Sequence, residues 1–202
     1  MGIEMDAKNW FTEKGDETLA LDWPLNDNSH VWEIGGYEGR WAQQIWDKFH
    51  CNITIFEPQL WAVDRLMKRF GGISEIDIRP YGLWINDEVR VIENFGTDGA
   101  TIANGTNGLN PPGLGAFKHF YHEFQHFDQI DVCLMNIEGA EYELIPSFIS
   151  FGVMQKIDHF WCQFHLKDDP DSNKSSDIFK AMEKTHYVLW NCFPTAVAWR
   201  KR

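Results

Sequence analysis

Apolar and polar positions along this chain alternate between two rhythms. Short apolar runs at Val31–Gly35, Ile53–Glu57, Ile76–Pro80, Ile130–Ile137 and Ile157–Phe164 read as buried strands. After the first, Trp41, Ile45 and Phe49 recur at i, i+4, i+8, with Arg40, Gln44, Asp47 and Lys48 on other faces, as on an amphipathic helix. After the second, Leu60, Val63, Met67 and Phe70 form another helical stripe that Gly71-Gly72 ends. Towards the far end, Lys167–Ser176 reads as a polar loop and Asp177–Thr185 as a helix. Tyr187–Cys192 and Ala196–Arg200 then read as a closing hairpin around Pro194. Strands alternating with helices predict an α/β fold. The expectation is one doubly wound, mostly parallel seven-stranded sheet with helices on both faces and an antiparallel last pair.

Between Trp84 and Ala116 the rhythm breaks. Val89–Asn94 reads as a hairpin strand, and Thr97–Gly115 is rich in Gly, Asn and Thr with Pro111-Pro112. So long a loop in a compact domain is functional or disordered; we read it as a lid over an acceptor site, with plain surface disorder as the alternative. From Phe117 to Phe127 a helical reading puts His119, His122 and His126 on one face and Phe117, Phe120, Phe124 and Phe127 on the other. The apolar stripe should pack inward, which turns the histidines to solvent and away from a zinc site.

Composition changes the picture in three ways. At 202 residues the chain is expected to form a single domain, 1–202, with about 1–30 as an extension packed on the core. A net charge of −12 argues against binding a phosphate backbone, so no nucleic-acid partner is expected. Cys51, Cys133, Cys162 and Cys192 lack C-x-x-C spacing and read as buried, reduced thiols, which fits a cytoplasmic location. No apolar stretch approaches the ~20 residues that span a bilayer, so no membrane insertion is expected. Of the ten tryptophans, Trp32, Trp46, Trp61 and Trp190 fall on expected strands and helices and read as core.

The candidate chemistry lies at the strand ends, where ligands bind in a doubly wound sheet. Val31-Trp32-Glu33-Ile34-Gly35-Gly36-Tyr37-Glu38-Gly39 is an apolar run ending in a glycine cluster that opens onto a helix. Such a loop brings backbone N–H groups close to a ligand. Glu57, 22 residues after Gly35, closes the next strand and is placed to grip both hydroxyls of a ribose. A dinucleotide fingerprint needs G-x-G-x-x-G, but here the glycines fall as G-G-x-x-G and Tyr37 stands where the second would be needed. Glu33 adds negative charge, poor for a pyrophosphate and suited to a ligand carrying an ammonium group.

Glu33-Ile34-Gly35-Gly36-Tyr37-Glu38-Gly39, Phe56-Glu57-Pro58 and Asp131 through Glu141, most specifically Asn136-Ile137-Glu138-Gly139-Ala140-Glu141, together resemble the FkbM family of S-adenosylmethionine-dependent O-methyltransferases. The resemblance runs from about Val31 to about His165. It implies the class I methyltransferase fold, S-adenosyl-L-methionine as cofactor, and a hydroxyl of a sugar or glycan, such as a deoxysugar, as acceptor. The cofactor-binding residues expected are Glu33, Gly35, Gly36, Tyr37, Gly39, Glu57, Pro58 and Asn136 from the matching motifs, with Gly82 and Leu83 from their place at the end of the third strand. The family has Asp where this chain has Asn136, which takes a charge from that position. A magnesium site would draw on Glu138, Asp168 and Asp169; without the acid at 136 we expect no metal.

Methyl transfer needs an acceptor oxygen held in line and a group to take its proton. The catalytic candidates are His165, directly after the fifth strand, as base, and Glu138, which would orient the acceptor, hold the cofactor's methionine end or cap a helix. Two other classes stay open: a nicotinamide-dependent oxidoreductase on the same fold, and a Trp-rich carbohydrate-binding domain without catalysis.

Overall fold

The computed structural model describes residues 9–94, 96–97, 99–102 and 113–202. The strands are β1 (His30–Ile34), β2 (Asn52–Phe56), β3 (Ile76–Arg79), β4 (Gly82–Trp84), β5 (Glu88–Glu93), β6 (Thr101–Ile102), β7 (Gly113–His119), β8 (Ile130–Met135), β9 (Ile157–Cys162), β10 (His186–Cys192) and β11 (Ala196–Lys201). The helices are α1 (Arg40–Phe49), α2 (Leu60–Phe70), α3 (Phe120–Phe124), α4 (Glu141–Ser150) and α5 (Asn173–Met182). Seven strands form the main sheet in the order β10-β11-β9-β8-β1-β2-β3. The neighbours from β9 to β3 are parallel, while β11 runs antiparallel to both β9 and β10. This is the expected fold class.

Alternation along β1 divides the core in two. Trp32 and Ile34 join a cluster with Tyr142, Leu144 and Phe148 of α4 and Ile178 and Met182 of α5. Val31 joins the opposite cluster, with Trp41 and Ile45 of α1 and Leu66 and Phe70 of α2. The chain reverses between β1 and β8, so the crevice at their carboxyl ends is the topological switch point.

Residues before β1 pack on the α1 side. Trp10 stacks on Trp161 at 5.6 Å and lies 5.6 Å from Trp190. The indole N–H groups of Trp23 and Trp41 both donate to the Ala20 carbonyl, at 2.8 and 2.7 Å. These rings are structural. Trp32 and Trp190 are buried as expected, whereas Trp46 and Trp61 are partly exposed. All four cysteines are buried, and none is in a disulfide.

Three readings need correction. The buried stripe of α2 is Ala62, Val63, Leu66 and Phe70, while Leu60 and Met67 are exposed. Leu60 and Met67 are seven apart and share one face, but that face lies about a quarter-turn from the one that meets the sheet. Second, Phe117 belongs to no helix. It is a buried position of β7, which joins β4, β5 and β6 in a separate four-stranded sheet of order β4-β7-β5-β6. Only Phe120–Phe124 is helical, with Phe120 and Phe124 buried; His119 caps it, accepting from Tyr121 N–H at 3.1 Å. His122 and His126 are exposed. Third, the expected lid is partly strand, with β6 at one end and β7 at the other; its centre, 103–112, lies outside the described residues.

Candidate active site

The loop after β1 is shaped by what lies against it. Gly35 has φ +89°, and a Cβ there would collide with the Asn136 carbonyl oxygen. Only glycine fits, so β1 and β8 end in direct contact. Gly35 and Gly36 N–H both donate to the Phe56 carbonyl, at 3.0 and 3.2 Å, which draws the loop over β2. There Glu57, 3% exposed, accepts from Tyr37 N–H and Gln59 N–H, each at 2.8 Å. Burial pushes its carboxyl up to about 7, against the pull of these N–H groups. Each oxygen keeps a lone pair for a further donor.

Gly35, Tyr37, Glu57, Pro58, Gly82, Leu83 and Asn136 line one pocket of about 130 Å³, with Glu138 on its wall. The small sheet roofs it through Ile92, Thr101, Ile102 and Phe117, with Ala100 beside them. Sequence reasoning missed these roof residues, although Gly113–His119 alternates exposed and buried positions with period two. On the other flank of the loop a roomier cleft, about 710 Å³, shares Gly35, Tyr37 and Asn136 and adds Glu33 and Gly36. Gly39 lines neither space; it precedes α1 at φ +71° and packs on Leu66 and Phe70.

Two acceptor atoms at this junction have no hydrogen-bond partner among the described residues: Glu33 Oε2 and Asn136 Oδ1. Glu33 is 3% exposed, and burial, with the nearby Glu57 charge, holds its carboxyl well above the usual range despite Arg69. A buried oxygen without a donor costs stability unless a ligand supplies one.

His165 lies between two carboxylates. Its Nδ1 is 3.0 Å from Glu141 Oε1 and its Nε2 is 2.9 Å from Glu138 Oε1, the second contact being an ion pair bent away from hydrogen-bond alignment. Burial works to lower the His165 pKa, but Glu138 and Glu141 outweigh it and raise it to about 9. At neutral pH the ring is an imidazolium without a free lone pair, so the role of base read from the sequence does not fit this arrangement. Glu138 also contacts Lys167 Nζ at 3.4 Å. Burial would raise the Glu138 carboxyl, but His165 and Lys167 bring it below its ordinary value.

Among the described residues no group of three or more His, Cys, Asp or Glu side chains is placed to hold a metal. Asp169 caps α5, accepting from the Lys174 and Ser175 N–H groups at 3.0 and 2.8 Å. Among those residues no helix is long and apolar enough to cross a membrane.

No protein-family model and no curated protein matches the chain. Several solved structures share its fold. One is the FkbM methyltransferase from Methylobacillus flagellatus KT, at TM-score 0.58 and 11% identity over 88% of this chain. This chain spans only 44% of that one. An rRNA methylase from Streptococcus thermophilus aligns at TM-score 0.54 and 10% identity, over 94% of this chain and 95% of its own. A Streptococcus mutans protein solved with S-adenosylhomocysteine aligns at TM-score 0.55 and 9% identity, over 95% and 97%. The shared architecture is the seven-stranded sheet with its reversed strand β11.

Proposed function

We propose that this protein is an S-adenosyl-L-methionine-dependent methyltransferase that acts on a hydroxyl of a sugar or glycan. One observation carries the reading: the Gly35 loop has a carboxylate on each flank, each with capacity for a further donor. On one side Glu57 keeps a lone pair on each oxygen, which suits the two hydroxyls of a ribose. On the other, Glu33 Oε2 and Asn136 Oδ1 have no partner, and an ammonium group there would draw Glu33, protonated without a ligand, into its ionised form. A ligand with a ribose at one end and an amino acid at the other fits this spacing of demands. A dinucleotide would bring a pyrophosphate against Glu33.

The bound cofactor supplies an electrophilic methyl group on a sulfonium. The chain's own residues do the rest. Gly35 lets the backbone approach, Pro58, Gly82 and Leu83 give apolar walls, and the small sheet limits water from above. Glu138, held ionised on the pocket wall, would take the acceptor's proton as the O–C bond forms and the methyl–sulfur bond breaks, leaving S-adenosylhomocysteine. A sugar hydroxyl is a very weak acid, so a base that engages during transfer suffices. The sugar rests on the FkbM resemblance of the motifs. The net charge of −12 speaks against the alternative acceptor, an RNA of the kind that the rRNA methylase's name points to.

Calorimetry with S-adenosylhomocysteine and with NAD tests the cofactor. Binding of the first alone is expected, and binding of NAD alone would replace this reading with the oxidoreductase. Methyl transfer from S-adenosylmethionine to a panel of methyl glycosides then separates an enzyme from a carbohydrate-binding domain.

A further inference from the structure

Glu141, the first residue of α4, is fully buried, and its carboxylate makes three close contacts. Oε1 accepts from the backbone N–H of His165 at 2.8 Å and lies 3.0 Å from that residue's Nδ1; Oε2 accepts from Gly139 N–H at 2.8 Å. Holding Gly139 alone would be an ordinary service to the start of a helix. Catching the imidazole as well has a chemical consequence, because it places a proton on Nδ1 and turns Nε2 towards Glu138. Glu138 is constrained in three ways. Its backbone is at φ +54°, its carbonyl accepts from Thr101 Oγ1 at 2.9 Å, and its carboxylate contacts His165 and Lys167. A non-glycine residue in the left-handed region persists only where its surroundings enforce it.

We propose that Glu141 is a positioning residue: its buried carboxylate orients His165, and His165 in turn fixes the Glu138 carboxylate on the pocket wall where the acceptor hydroxyl must lie. This rests on the methyltransferase reading for its catalytic meaning. The charged groups facing the imidazole are Glu141 from α4 and Glu138 from the loop after β8. Lys167, on the turn that follows His165, acts on the ring through Glu138, and Asp168 lies against Gly139. Three side chains from two segments, the stretch after β8 and the turn after β9, thereby form one line, Glu141 to His165 to Glu138, that ends at the pocket. The acceptor's proton goes to Glu138; the imidazolium keeps both of its own and holds the geometry.

The test reads His165 directly. Nitrogen-15 spectra of the imidazole in the intact protein should show both ring nitrogens protonated at neutral pH, with titration near 9. In Glu141→Gln the midpoint should fall by about 1–3 pH units, as expected when an adjacent opposite charge is lost. Turnover on methyl glycosides should drop by about 10²-fold, the scale of a misplaced reacting group. The dissociation constant for S-adenosylhomocysteine should change by less than about twofold, since no cofactor contact is touched. Glu141→Asp, which restores the charge, should recover the high midpoint.

An unchanged His165 midpoint in Glu141→Gln, or unchanged turnover, overturns the proposal. A merely structural tie between the two loops would lower the midpoint and alter stability but leave the turnover of the folded variant in place. Should Glu141→Gln fail to fold, His165→Gln carries the test: turnover must fall with cofactor affinity kept, and full turnover overturns the inference. If the wild-type protein binds no S-adenosylhomocysteine, the methyltransferase reading fails, and the His165 titration still judges the link to Glu141 alone.

Discussion

Glu57 and Glu33 stand on either side of one loop, and burial pushes both carboxyls up from their ordinary value. Glu57 has two N–H donors and titrates near 7. A ribose binds its ionised form, so affinity for S-adenosylhomocysteine should climb as pH rises through about 7. Glu57→Ala should cost ~2–3 kcal/mol, about 30- to 150-fold in affinity, and remove that pH dependence. Calorimetry across the range decides it, and an unchanged dissociation constant in the folded variant would sink the adenosine assignment. Glu33 gives a second test, read in stability. The native state holds a proton that the unfolded chain releases above about 4.5, so stability falls as pH rises beyond that value. Glu33→Gln should therefore raise the melting temperature of the ligand-free protein at neutral pH while weakening cofactor binding about 10-fold or more. A variant that gains no stability, or binds as tightly as wild type, argues against a poised ammonium site.

At the level of elements, the legible parts were those with one dominant period. The central strands β1, β2, β8 and β9 are buried on both faces and appear in the sequence as unbroken apolar runs. Their carboxyl ends could then be located, and with them Gly35, Glu57, Asn136 and His165. The small sheet was not legible for the opposite reason. Apart from the buried β4, its strands leave most of their positions at least partly exposed, and β7 carries Gly113 and Gly115 with its apolar positions diluted by Ala116 and Lys118. Phe117, Phe120 and Phe124 happen to continue at helical spacing across the β7–α3 junction, which disguised the strand. His165 was found by position, but its protonation was not, because the sequence cannot show that two glutamates from the segment after β8 close on it. The loop before α4 is a further point of strain. Gly139 has φ +108°, and a Cβ there would run into the Asp168 carboxylate. Gly139→Ala should cost about 1–3 kcal/mol, lowering the melting temperature by about 2–10 °C in a chain of this size. Gly72→Ala, where a Cβ meets nothing within 4 Å, is the control. Equal melting temperatures for the two variants would show that the loop yields.

For the molecule as a whole, charge and coordination chemistry point the same way. Asn136 puts a neutral amide where an acid would supply a hard ligand, and Glu138 is committed to His165 and Lys167. Methyl transfer should accordingly survive EDTA; activity lost on chelation and restored by Mg²⁺ would require a metal between Glu138 and Asp168.

The sheet order has a consequence for the order of events during synthesis. β1 can pair with β2 as soon as both have emerged, but its other edge must wait for β8, and Trp10 must wait for Trp161 and Trp190. The 151 residues from position 10 to position 161 take roughly 8–30 s to translate at ~5–20 residues per second. For part of that interval, until β8 emerges, the nascent chain offers an open strand edge as well as an uncovered indole. The tryptophans that lock the finished protein together are thus, for a short time, apolar surface without a partner.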